Sequence, residues 1–165
     1  MSRLTLLTYK RKRQGKTNYK KRLALLKSNK PRFVVRRFSN SILAQIVIYK
    51  PSGDQVIVTA RSNNLKKLGW AHHKGNLSAA YLTGTLCAKK AKEKDIQEAI
   101  LDMGNHISVK GSAVYSALKG AIDAGLKIKH SKEVLPSEDR IKGKSPEIQK
   151  SFMEIKNKLL ENEKR

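Results

Sequence analysis

A chain of 165 residues is the size of one ordinary domain, and its apolar share of 39% lies below the roughly 45–50% of an average globular chain, so extended or weakly ordered ends are expected. Its 36 Lys and Arg against 13 Asp and Glu leave a formal charge of +23, a self-repulsion that calls for a polyanion, most simply nucleic acid. No apolar run approaches the roughly 18 residues of a membrane span and no secretion signal opens the chain, so a cytoplasmic protein without a membrane partner is expected; the single Cys87 forms no internal disulfide and no zinc site.

The charge is unevenly spread. Residues 1–53 hold fifteen Lys or Arg and no acidic residue, whereas the remaining 112 residues hold 21 basic and 13 acidic ones. Residues 1–16, centred on Tyr9-Lys10-Arg11-Lys12-Arg13, read as a basic arm that becomes ordered on meeting phosphates, or as a solubilising tail. Gly15 breaks the arm. Thr17 can cap a following helix in which Tyr19, Leu23 and Leu26 recur at helical spacing, apolar inside and basic outside, until Pro31 ends it.

Arg32 to Arg37 reads as a strand, Ser39-Asn40 as a turn, and Ile42 to Tyr49 as a second strand with Ile42, Ala44, Ile46 and Ile48 on one face. Pro51-Ser52-Gly53-Asp54 supplies the next turn and Gln55 to Arg61 a third strand, which together predict an antiparallel meander. From Asn76 the period becomes helical, and the small residues Ala80, Gly84, Ala88 and Ala91 would let that helix approach a sheet closely. Ala99 to Met103 resembles a strand buried on both faces, which suggests a crossover with parallel pairing.

Ser112 caps another helix carrying Val114, Tyr115, Leu118 and Ile122, and Gly125 ends it in the left-handed position. Residues 127–145 read as an irregular basic loop. Ser145-Pro146 opens a last helix, 146–165, with Ile148, Phe152, Ile155 and Leu159 on one stripe, which packs on the domain or seeks a partner. Three strands, helix, strand and helix, with the terminal helices, thus read as a three-layer α/β or α+β domain with a mixed sheet, its core over 17–126.

Catalytic chemistry finds little support. His72-His73 has no serine elbow near it, and no Gly-rich phosphate loop occurs. Asp54, Asp102 and Asp123 are the candidates for a metal-dependent nuclease, but each has a turn or element-end explanation. No cofactor, metal or small-molecule substrate is implied. RNA binding needs only cations for phosphates, flat side chains for bases and amides for base edges. Arg11, Lys12, Arg13 and Lys16 would follow the backbone, Tyr19 could stack or join the core, and Arg36 and Arg37 place two forks beside the hairpin turn, with Arg37 equally readable as an exposed strand charge.

Gly15-Lys16-Thr17-Asn18-Tyr19-Lys20-Lys21-Arg22-Leu23, Leu25-Leu26-Lys27-Ser28 and Lys30-Pro31-Arg32 resemble the opening of the archaeal large-subunit ribosomal protein eighteen family, counterpart of the eukaryotic fifth large-subunit protein. Similar stretches continue in order through Gly69-Trp70, Ala79-Ala80-Tyr81-Leu82-Thr83-Gly84, Ala99-Ile100-Leu101-Asp102, Leu118-Lys119-Gly120-Ala121 and Pro136-Ser137-Glu138-Asp139-Arg140-Ile141. The resemblance implies a ribonuclease-H-like mixed-sheet domain without catalysis. It further implies a protein that docks 5S rRNA in the central protuberance, touches the large-subunit rRNA and has neighbouring large-subunit proteins as partners.

Carried onto this chain, the RNA-contacting positions are Arg11, Lys12, Arg13, Lys16, Tyr19, Lys20, Arg22, Arg36, Arg37 and Asn40, with His73, Lys74 and Asn76 in the loop after Trp70. Two stretches depart from the family's pattern, Gly84-Thr85-Leu86-Cys87-Ala88-Lys89-Lys90 and Asn105-His106-Ile107-Ser108-Val109-Lys110, and after Lys144 the resemblance ends. A general nucleic-acid or chromatin binder using charge alone is the competing reading, and a nuclease built on the three aspartates is the third.

Overall fold

The computed structural model describes residues 7–161; residues 1–6 of the basic arm and 162–165 of the terminal helix lie outside the described residues. The described part of the arm contains a short helix, α1 (Lys10–Arg13), where an extended or weakly ordered segment was expected. Helix α2 (Tyr19–Leu26) follows, and the Asn18 side chain caps it, its Oδ1 accepting the Lys21 N–H at 3.1 Å. Asn18 therefore does what the sequence suggested for Thr17, whose hydroxyl instead accepts Arg11 Nε–H at 2.9 Å. Contrary to the amphipathic reading, α2 buries none of its residues, and Leu23 is 59% exposed. The helix stops before Pro31 is reached, with Asn29 in the left-handed region at φ +51°.

Strands β1 (Arg32–Arg37), β2 (Ile42–Ile48) and β3 (Gln55–Arg61) form the expected meander. A register shift pairs Ile46 with Val58 but Val47 with Val56, leaving Ile57 over as a bulge. The even alternation expected along β2 therefore fails at its end, where Val47 is buried and Ile48 only half-buried. After β3 comes a 3-10 segment, Ser62–Leu68, which Gly69 closes at φ +99°. Helix α3 (Leu77–Lys92) then carries the chain back to β4 (Glu98–Asp102), parallel to β1 as the helix-then-strand pattern predicted. Helix α4 (Ala113–Asp123) and a two-residue strand β5 (Lys127–Ile128), parallel to β4, complete the order β3-β2-β1-β4-β5.

The inward face of the sheet, Phe33, Val35, Ile42, Ala44, Ile46, Val58 and Ala60, packs against both α3 and α4. The small-residue stripe of α3 permits close approach, but at Gly84 the neighbour is α4 rather than the sheet. A methyl group on Gly84 would lie 1.9 Å from the Ala117 carbonyl oxygen, and one on Gly120 would lie 2.1 Å from that of Tyr81. The two helix backbones thus touch through facing glycines.

The segment read as irregular contains, beyond β5, a 3-10 turn (Lys132–Val134) and α5 (Glu138–Lys142). The last helix, α6 (Pro146–Glu161), resolves the open choice for its stripe: Phe152, Ile155 and Leu159 are buried on the domain with Trp70, Tyr81 and Leu82. Layers thus run sheet, α3 with α4, then α6, and the long helices all lie to one side of the sheet. The protein is an α/β domain with a mixed five-stranded sheet flanked by helices.

Candidate nucleic-acid interface

The opposite face of the sheet carries charge. Pairing puts Arg32 beside Val47 and Ile100, and Val34 beside Gln45 and Asp102, so Arg32 and Asp102 share that face. Arg32, with a side chain only 4% exposed, donates from Nη1 to Asp102 Oδ2 at 2.9 Å and from Nη2 to Asp54 Oδ2 at 2.6 Å. Arg36 donates to Asp102 Oδ1 at 3.0 Å and to the Asp102 carbonyl at 2.7 Å. Arg22, from α2, donates to Asp54 Oδ1 at 2.7 Å and ties the arm's helix to the turn before β3.

These contacts set the local proton affinities. The Arg22 hydrogen bond holds Asp54 below the usual carboxylate range, and the same bond raises Arg22. Burial works to raise Asp102, but the Arg36 charge, the Gly104 N–H and Arg32 outweigh it and hold that carboxyl low as well. Two of the three aspartates weighed for a nuclease are therefore close together, yet both are neutralised by guanidinium groups. The third, Asp123, accepts the Tyr81 hydroxyl at 2.7 Å elsewhere. Burial pushes the Cys87 thiol up to about 12, far from a reactive thiolate.

Arg22 and Arg36, both singled out for RNA, thus have internal partners. Around them stand cations that have none. Lys12, Arg13, Lys16 and Lys20 are exposed and form no ion pair among the described residues. Lys12, Lys20, Tyr19, Lys21 and Asn105 line a shallow groove between the arm and the loop after β4. Tyr19 is 37% exposed and leans on Tyr9, ring centroids 5.2 Å apart, so it stands in that groove and not in the core. Sequence reasoning missed Lys21, although it belongs to the same basic run, and Asn105, which reaches the arm by donating to the Gly15 carbonyl.

Arg37 is exposed, and its backbone N–H meets His106 Nε2 at 3.4 Å. The hairpin turn and the loop after Trp70 are joined by His73. Its Nδ1 accepts the Gly75 N–H at 3.1 Å, which leaves the ring proton on Nε2 to be donated to Asn40 Oδ1 at 3.3 Å. Lys74 and Lys66 lie close enough that burial, followed by the Lys66 charge, depresses the Lys74 ammonium. Asn76 has a structural duty, capping α3 by accepting the Ala79 N–H at 2.8 Å.

The arm and the start of α2 therefore present exposed cations, while Asp54 and Asp102 are paired internally with arginines. The family model described as ribosomal large subunit proteins 60S L5 and 50S L18 matches residues 5–97. The chain belongs to this family. The large ribosomal subunit protein uL18 of Korarchaeum cryptofilum (strain OPF8) is 55% identical over 135 residues, 82% of this chain and 69% of that protein. The protein is thus a constituent of the large ribosomal subunit in the cytoplasmic ribosome, from a family of structural, non-enzymatic proteins that work in translation with ribosomal RNA and ribosomal proteins. No helix among the described residues is long and apolar enough to cross a membrane.

Proposed function

We propose that this protein binds 5S rRNA and helps attach it to the large-subunit rRNA in the central protuberance, with neighbouring large-subunit proteins around it. The observation that carries the reading is the standing of the arm and the helix after it: α1 and α2 bury no residue and carry no acid, and every cation in them but Arg22, which pairs with Asp54, is exposed. A segment that gains nothing from the core has its use outside it. Arg11, Lys12, Arg13, Lys16, Lys20 and Arg37 contact phosphates; Tyr19 stacks on an unpaired base; Asn40, His73 and Lys74 contact RNA from the hairpin side. Arg22 and Arg36 set the angle of the arm and the loop after β4, and Asn76 holds the α3 entrance. Residues 1–16 act as the RNA grip, 17–126 as its platform, and 127–145 with 146–165 as a brace. The strand order, three antiparallel strands followed by two parallel ones, supports a ribonuclease-H-like arrangement whose sheet carboxylates are occupied by arginine.

Binding to 5S rRNA and to an unrelated folded RNA of the same size, across a salt series, tests this with the intact chain and one lacking residues 1–16. A preference for 5S rRNA that survives high salt and weakens on deletion supports the reading. Equal affinities that vanish together as salt rises leave a binder driven by counterion release alone.

A further inference from the structure

We propose that Arg37 and Arg140 grip one backbone phosphate of ribosomal RNA in the cleft between the end of β1 and the entrance of α4, a contact separate from the arm. The proposal rests on the RNA-binding reading above and extends it to a site on the other side of the loop after β4. The cleft is lined by Arg37, Arg140, Gly75, Asn76, Gly111 and Ser112, with further lining from α3, α4, Gly143 and Ile148, and no acidic residue among them. Unlike Arg22, Arg32 and Arg36, neither guanidinium has an ion pair or a side-chain hydrogen bond among the described residues.

The position of Arg140 points to an anion. A methyl group on Gly111 would lie 2.5 Å from Arg140 Nη1, so the guanidinium rests directly on the backbone that leads into α4. That is the positive end of a helix, where a cation is disfavoured and an anion favoured. The Ser112 side chain makes no capping bond to the first amides of α4. Two unneutralised guanidiniums and a helix entrance facing one space repel one another unless a negative group lies between them. A phosphodiester, with two free oxygens and a single charge, fits two forked donors that line one cleft. The cleft is also linked to the arm groove: Arg37 meets His106 through its N–H, and the adjacent Asn105 holds the arm at Gly15. One RNA strand leaving the groove can therefore continue across Arg37.

The test uses the full chain with Arg140→Gln, Arg37→Gln and the double variant, an arm control with Lys12→Gln and Arg13→Gln together, and melting curves to confirm that all fold. Each is titrated with 5S rRNA and with large-subunit rRNA over a salt series. The expected result is that each cleft variant lowers the slope of log affinity against log salt by about 0.7–0.9 on one of the two RNAs, the share of one phosphate. The double variant should lose little more than either single one, because both side chains serve the same phosphate. Arg140→Lys, which keeps the charge but not the fork, should fall between. Unchanged affinity and slope in Arg140→Gln, with weakening confined to the arm control, overturns the clamp and leaves the 5S rRNA reading standing. Additive losses in the double variant overturn the shared phosphate. A wild-type chain with no preference for 5S rRNA removes that reading, while the Arg140→Gln slope on large-subunit rRNA still decides the clamp.

Discussion

Helix α3 buries eleven of its sixteen residues, whereas α2, half as long, buries none. Both show apolar residues at helical spacing, and both begin at an asparagine whose side chain accepts an N–H three residues on. The difference lies in what meets them. Three neighbours receive α3: the inward face of the sheet, α4 at the glycine seam, and α6 with Trp70. Among the described residues neither core cluster takes in a residue of α2, which is held by its cap and by the ion pair of Arg22 with Asp54. Periodicity therefore tells that a helix exists, but not that a core exists to take its face. On the RNA-binding reading proposed above, the unburied helix is the useful one, because its exposed lysines stay available.

The largest effect should come from the joint between these regions. Arg32→Met keeps the bulk of a buried side chain but removes two of the ion pairs that compensate Asp54 and Asp102. Breaking a buried pair on one side costs about 3–5 kcal/mol, and a loss of that size should appear in urea unfolding, with faster amide exchange along α2 as Asp54 loses its orientation. A loss under about 1 kcal/mol, within the range of an exposed pair, would mean that the network decorates the sheet without fastening the arm to it.

Next comes the seam between α3 and α4, where two effects oppose. Replacing Gly84 with Ala favours the helix by about 1 kcal/mol, but the new methyl group would lie 1.9 Å from the Ala117 carbonyl oxygen. Overpacking of this kind costs about 1–3 kcal/mol and more when backbone must move, so net destabilisation of about 2 kcal/mol is expected. A stabilised Gly84→Ala would show that the two helices can part freely, and that the core is held by the sheet face alone.

The meander was legible because its connections are written in turn residues, Ser39-Asn40 and Pro51 to Asp54, between runs of β-branched residues. The crossover to β4 was legible from a change of period. The identity of each close neighbour was not. The small residues of α3 announce a tight contact, but Ala117 of α4 becomes the partner of Gly84 only once both helices lie on one side of the sheet. Thr17 and Asn18 are both able to cap, and periodicity does not choose between adjacent residues. Helix α5, only five residues long, has too little length to show a period.

The site followed the same division. Exposed cations of the arm could be read from a run of one sign without any acid. The pairing of Arg32 with Asp102 spans 70 positions and that of Arg22 with Asp54 spans 32, separations over which sequence carries no contact signal. Arg22 and Arg36 therefore looked like Arg37 until the fold brought carboxylates to two of the three.

The smallest effect should fall on α2 itself. Leu23 is a large apolar residue in a helix, and by composition alone its loss would be ranked with that of Leu82 or Leu118. At 59% exposure, however, it has little burial to forfeit, and alanine is at least as good a helix former. Leu23→Ala should change unfolding free energy by no more than about 0.5 kcal/mol, against the roughly 2–5 kcal/mol typical of Leu→Ala in a core. A core-sized loss would mean that α2 packs against the domain in solution and that the contrast with α3 is one of degree. If stability holds while RNA affinity falls, Leu23 is apolar because its contact is made with the partner, and the exposed face of α2 is selected for the ribosome and not for the fold.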